Sequence, residues 1–309
     1  MSKVVKSYKG FNKDMTCRGF QYKEGETYTT DKAEVCKEGF HACEYPLDCL
    51  SYYSPNTSVY HEVEQSGVLS THSGDSKVAS TEIKIGAKLS IVGLVQAAID
   101  FVKLKTVKEK EATGDYGASS ATGDCGASSA TGSCGASSAT GNYGASSATG
   151  NYGASSATGD CGASSATGSC GASSATGYCG ASSATGDYGA SSATGYKGAS
   201  SATGSCGASS ATGNYGASSA TGSCGASSAT GYKGASSVDN STAVAVAWGY
   251  KSKAKGCIGS HIVCAEWRYV GDKKEWEFVG AKMARVDGDK IKADTYYTLR
   301  NGEFIEVEE

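Results

Sequence analysis

The chain has 309 residues, a formal net charge of −3 and 39% hydrophobic residues, a length that fits about two domains at roughly 150 residues each. Its 43 glycines and 2 prolines exclude collagen, because glycine does not recur every third residue, and 19 tyrosines with 13 cysteines exclude an ordinary solvated linker. The slightly acidic balance offers no basic footprint for nucleic acid.

Residues 1–111 read as an α+β domain. Residues 1–14 lack the apolar core of a secretory signal. The longest apolar stretch, 91–102, is broken by Gln96 and Asp100 and is too short to cross a bilayer. A soluble protein made in the cytoplasm is therefore expected, without membrane insertion, and lysis or a virion would carry it out. Thirteen cysteines, an odd number, favour reduced thiols over a disulfide framework.

Strands are expected at 3–8, 59–64 and 81–85. A helix is expected at 90–105, with Ser90 as N-cap and Val92, Val95, Ile99 and Val102 on one face. This helix is expected to cap the first coil of the next segment, since open strand edges invite aggregation. Cys36, His41, Cys43 and Cys49 are candidate metal ligands. Their spacing, C-x4-H-x-C-x5-C, lacks the two close pairs of a zinc knuckle, so buried free thiols are the simpler reading. No cofactor is expected.

From Gly114 to Asp239 the chain is fourteen nine-residue units, GDYGASSAT, GDCGASSAT, GSCGASSAT and so on, the last degenerate. Only seven of the 126 positions are charged, and Trp, Phe, Ile, Leu and Met are absent. Such a segment cannot bury a conventional apolar core. A flexible linker would not require the same residue at the same phase in every unit, whereas a stacked coil would. We therefore expect a parallel β-solenoid over 112–256, with an interior that admits only Gly, Ala and Ser.

Side chains alternate along a strand, so Ser128 and Ala130 share the inner face while Ser129 and Thr131 point out, as do Ser138 and Thr140 in the next unit. The two residues after each unit's first Gly vary among Asp, Asn, Ser, Tyr, Cys and Lys, which places them at an exposed corner. Tyr116, Tyr143, Tyr152, Tyr188 and Tyr215 are then a corner ladder, with Tyr178, Tyr196 and Tyr232 one position earlier. The cysteines of this corner are expected to be exposed thiols. Eighteen residues per coil are favoured over nine, because nine-residue coils usually need a regular core staple and cysteine occurs irregularly.

Residues 257–309 read as a β-meander closing the far end, with strands at 261–270, 276–286, 290–299 and 304–308. Asp287-Gly288 and Asn301-Gly302 are its hairpin signals. Trp248, Trp267 and Trp276 are expected to pack this cap on the last coil.

Two resemblances follow from these motifs. S-x-A-x-G in each unit, and Ser241 to Gly256 after the array, resemble the left-handed β-roll in the heads of trimeric autotransporter adhesins, which implies 18-residue coils and an oligomer. The segment Gly39-Phe40-His41, the GASSATG repeats, Ala265-Glu266-Trp267 and Lys292-Ala293-Asp294-Thr295 are similar to uncharacterised phage and prophage proteins of gut bacteria. That likeness implies an origin and no mechanism.

The functional expectation is a non-enzymatic structural or interaction rod, binding itself or a protein or glycan surface. The alternatives are a ligand site in residues 1–111 and ice or surface binding through the Ser and Thr ladders. Tyr8-Lys9-Gly10 and Gly39-Phe40-His41 also resemble an ADP-ribosyltransferase-like strand, but no catalytic Glu or Arg motif accompanies them, so an enzyme is not expected.

Overall fold

A computed structural model describes residues 4–55, 57–71, 76–105, 110–271 and 274–308. The amino-terminal domain contains β1 (Val5–Asn12), β2 (Thr16–Cys17), β3 (Phe20–Gln21), β4 (Thr27–Thr29), β5 (Phe40–Cys43), α1 (Asp48–Tyr52), β6 (Ser58–Thr71), β7 (Lys77–Leu89) and α2 (Ile91–Lys105). Lys3, the first residue of an expected strand, lies outside the described residues. The sheet runs β4-β7-β5-β1-β6, and β6 also pairs with β7, so the sheet closes on itself. Bulges between His61 and Val63 and between Ser66 and Leu69 supply the bend. Phe11, Tyr22, Phe40, Val63, Ile83 and Ile85 fill one core of this domain.

The solenoid starts with β8 (Lys110–Thr113) and continues with thirteen ASSAT strands, β9 (Ala118–Thr122) to β21 (Ala226–Thr230), then β22 (Ala235–Val238), β23 (Val244–Ala247) and β24 (Lys253–Lys255). Each strand pairs in parallel with the strand eighteen residues away, as Ala127 with Ala145 and Ser128 with Ser146. Alternate units therefore build two opposite sheets, and one coil holds two units, giving about eight turns.

The interior follows the expected phase and is built on hydroxyls. From Ser128 to Ser236, each inward Ser Oγ–H donates to the Ser Oγ nine residues earlier, at 2.8–3.0 Å, ending on Ser119 and crossing from one sheet to the other at every step. A buried hydroxyl without a partner costs about 1–3 kcal/mol, and this chain satisfies each one with the next. The inward alanines from Ala130 to Ala229 fill the space beside it and are buried.

The expected helix forms, with Gly93 N–H donating to Ser90 Oγ at 3.1 Å as the cap. It covers a flank, however, and not the first coil. Leu94, Val95, Ala98, Ile99 and Val102 lie lengthwise over Ala127, Ala145, Ala163, Ala181 and Ala199 of one sheet. An apolar helical stripe needs a long flat apolar surface, and a column of five alanines offers one where the end of a coil does not. The matching column on the other sheet, Ala136 to Ala226, stays exposed.

At the far end, β25 (His261–Val270) adds in parallel to β23 and is followed by β26 (Glu275–Arg285), while β27 (Tyr296–Arg300) and β28 (Glu303–Val307) extend the other sheet. Asn301-Gly302 makes the β27–β28 hairpin with both φ positive. Asp287-Gly288 instead lies in the crossing between the two sheets, where Asp287 Oδ1 accepts from Asp289 and Ile291 N–H. Trp248 stacks on Phe278 at 5.3 Å, Trp267 Nε1–H donates to Trp248 O, and Trp276 sits 3.9 Å from the Tyr250 ring.

Candidate functional site

Because a coil holds two units, the variable corner residues fall on two opposite edges, and the tyrosines expected as one ladder are divided. Tyr116, Tyr152 and Tyr188 lie on one edge, two coils apart and exposed, alternating with Cys134, Cys170 and Cys206. Tyr143 and Tyr215 lie on the other. Tyr143 is half-buried against Tyr45 of the amino-terminal domain, with ring centroids 4.8 Å apart. The hydroxyl ladders are likewise divided: Ser129 and Thr131 belong to the sheet that carries α2, Ser138 and Thr140 to the opposite, uncovered sheet.

The second edge carries a continuous row of rings that sequence reasoning assembled only in part. Tyr178 stacks on Tyr196 at 5.2 Å, and Tyr196, Tyr215, Tyr232 and Tyr250 follow at 5.5, 5.5 and 5.9 Å. Trp276 and Tyr269 of the carboxy-terminal cap extend the row. Lys233 Nζ sits over the Tyr215 and Tyr232 rings, and Lys251 Nζ over Tyr250 at 5.2 Å. Tyr215, Lys233 and Lys251 have φ of 58°, 54° and 56°, left-handed values that side chains adopt at a cost. In the first of these turns Tyr215 N–H donates forward to Tyr232 O, whereas Lys197 N–H donates back to Tyr178 O. This reversal brings a tyrosine from the second corner position into line with those at the first.

The same edge meets the amino-terminal domain farther up. Tyr45 O–H donates to Cys161 O at 2.7 Å, Ser51 Oγ lies 3.3 Å from Cys179 Sγ, and Lys197 Nζ donates to Ser51 O. Cys161 and Cys179 are therefore buried, contrary to their expected exposure, because a domain that the repeat pattern cannot reveal covers their corner. Hydrogen bonding to Cys179, burial and the nearby Asp48 carboxylate together hold the Cys161 thiol protonated. Burial pushes the Cys264 thiol up to about 12. A thiol reagent applied to the native protein at pH 8 should modify Cys36, Cys125, Cys206 and Cys224 first. Early modification of Cys161 or Cys264, read by mass spectrometry, would contradict this packing.

The candidate metal ligands do not converge. Among the described residues no group of three or more His, Cys, Asp or Glu side chains is placed to hold a metal ion. Both His41 ring nitrogens are engaged: Cys36 N–H donates to Nε2 at 3.0 Å and Nδ1 lies 3.0 Å from Gly39 O. Burial, joined by the cations of Lys9, Arg18 and Lys77 and opposed by the bond to Gly39 O, holds this imidazole below the usual histidine range. Cys49 Sγ–H donates to Tyr8 O at 3.0 Å, and Cys36 is exposed. What these residues do share is the wall of a cavity of about 730 Å³ inside the amino-terminal domain, lined also by Lys9, Arg18 and Tyr53. No sequence pattern marked it, because its walls come from β1, β5, α1 and the β2–β3 turn.

Residues 5–97 match a domain of unknown function (DUF7666). The match spans the closed sheet, the cavity and the start of α2 and stops before the array. No curated protein and no solved structure matches the chain.

Proposed function

We propose that the chain is a non-enzymatic interaction rod that presents a rigid aromatic edge to an extended glycan surface. The observation that carries this is the row Tyr178, Tyr196, Tyr215, Tyr232 and Tyr250, one ring per coil, flanked by Lys233 and Lys251. At about 4.8 Å per coil, four coils spread these rings over roughly 19 Å, which suits a repeating polymer better than a small molecule. Tyrosine supplies large contact area with little side-chain entropy to lose, and the solenoid fixes each ring before contact. Strained backbone at Tyr215, Lys233 and Lys251 supports a selected geometry, since uniform turns would have avoided it. Origin in a phage or prophage and self-association belong to the same proposal and rest on the repeat and flank resemblances.

Binding of the full chain to an immobilised polysaccharide panel tests it. Wild-type protein should bind at least one polymer, and Tyr196→Ser with Tyr232→Ser should weaken that binding about tenfold or more. Tyr116→Ser with Tyr152→Ser, on the opposite edge, should leave it unchanged. No binding across the panel, or equal loss from both edges, would overturn the proposal.

A further inference from the structure

We infer that the cavity of the amino-terminal domain is a binding site for a small organic anion carrying a flat ring, a function independent of the rod. Lys9 is 5% exposed, yet its ammonium faces no carboxylate among the described residues. Its Nζ donates to His41 O at 2.8 Å and to Cys17 Sγ at 3.4 Å, and lies 5.3 and 5.6 Å from the Phe11 and Tyr22 rings. A buried cation held by neutral groups is costly unless an opposite charge completes its surroundings. The cavity wall repeats that sign. Lys9, Arg18, Lys37 and Lys77 line it with Glu38 as the single acidic residue among the described lining residues, and Lys37 is already paired with Glu34 outside it.

Arg18 points the same way from the mouth. It is exposed, left-handed at φ 49°, and close enough to bias the ionisation of both His41 and Tyr53. A guanidinium binds phosphate or carboxylate through two parallel N–H donors, and no such partner occupies it among the described residues. Aromatic side chains stand among its small polar residues and thiols: Tyr22, Tyr52, Tyr53 and Phe20 belong to the lining. Lys77 Nζ lies 4.1 Å over the Tyr52 ring, so cation and ring already form one surface. Tyr53 is itself fixed, its O–H donating to Cys17 Sγ at 2.8 Å and its ring pressed so closely on Gly10 that a Cβ there would lie 2.6 Å away. A volume of about 730 Å³ falls within the range of small-molecule sites. Charge selects the anionic head, and the fixed rings select a flat body.

Calorimetry of the full-length protein with phenyl phosphate, inorganic phosphate and benzyl alcohol tests this. Phenyl phosphate should bind saturably, about tenfold or more tighter than either of the other two, and should shift the His41 ring resonances. Arg18→Asn, which keeps a residue tolerant of positive φ but removes the charge, should weaken phenyl phosphate about tenfold with an unchanged melting temperature. Absence of saturable binding at 10 mM (on the order of the weakest specific sites), or affinity indifferent to Arg18→Asn, would overturn the inference. Inorganic phosphate binding as tightly as phenyl phosphate would overturn its aromatic half.

Discussion

Replacing Gly168 with Ala should break the stack of coils, while replacing Gly171, equally invariant in the repeat, should not. A Cβ at Gly168 would lie 1.6 Å from the carbonyl oxygen of Gly150, one coil away, and φ there is 151°. The obstacle is backbone, so no rotamer change relieves it, and the left-handed region adds its own cost. A loss above about 4 kcal/mol is expected. At Gly171 the nearest atom to a Cβ is Ala166 O at 3.3 Å and φ is ordinary. There the reduced freedom of the unfolded chain offsets a small shift, and the change should stay within about 1 kcal/mol. Urea unfolding followed by circular dichroism separates the two, and equal curves would refute the packing.

Two identical positions of identical repeats should differ as sharply. Ala181 lies under α2 and is fully buried, whereas Ala190, nine residues on, faces solvent from the other sheet. Ala181→Arg would force a large charged side chain between the alanine column and Leu94, Val95 and Ile99. Overpacking and the desolvated charge together should cost about 4 kcal/mol or more, or free α2 from the array. Ala190→Arg should cost within about 0.5 kcal/mol. Hydrogen exchange reads the difference directly: amides of α2 lose protection in the first variant and keep it in the second. Protection retained in both would mean that α2 does not dock on this column.

These contrasts mark where the sequence is legible. Period, inner phase and turn position were readable because Gly, Ala and Ser recur at fixed offsets, and the inner face has no room for anything larger. Three of the four carboxy-terminal strands were readable from alternation and from Asn301-Gly302. The strand expected at 290–299 begins only at Tyr296, and the expected meander is two hairpins that extend different sheets. Asp287-Gly288 misled because the same dipeptide that closes a hairpin also serves a crossing whose ends belong to different sheets. Division of the tyrosines between two edges follows from eighteen residues per coil by counting alone. Which sheet carries α2 does not follow, since units on both sheets read GASSAT and only tertiary contact distinguishes Ala181 from Ala190. The fate of Cys161 and Cys179 was hidden for the same reason. The cavity was hidden for another: Lys9, Arg18, His41 and Tyr53 are distant in the chain and meet only when the sheet closes.

The rigid rod of eighteen-residue coils is the premise of everything proposed for the array, and one distance tests it. Tyr116 and Cys224 occupy the same corner position of the same edge, six coils apart. Nitroxides at Cys224 and at a Tyr116→Cys site, with the other accessible cysteines changed to Ser, report that spacing by pulsed electron resonance. Coils stacked about 4.8 Å apart give a narrow distribution near roughly 29 Å. A peak near roughly 58 Å would mean nine residues per coil, and a broad distribution would mean a flexible linker; either would contradict the account.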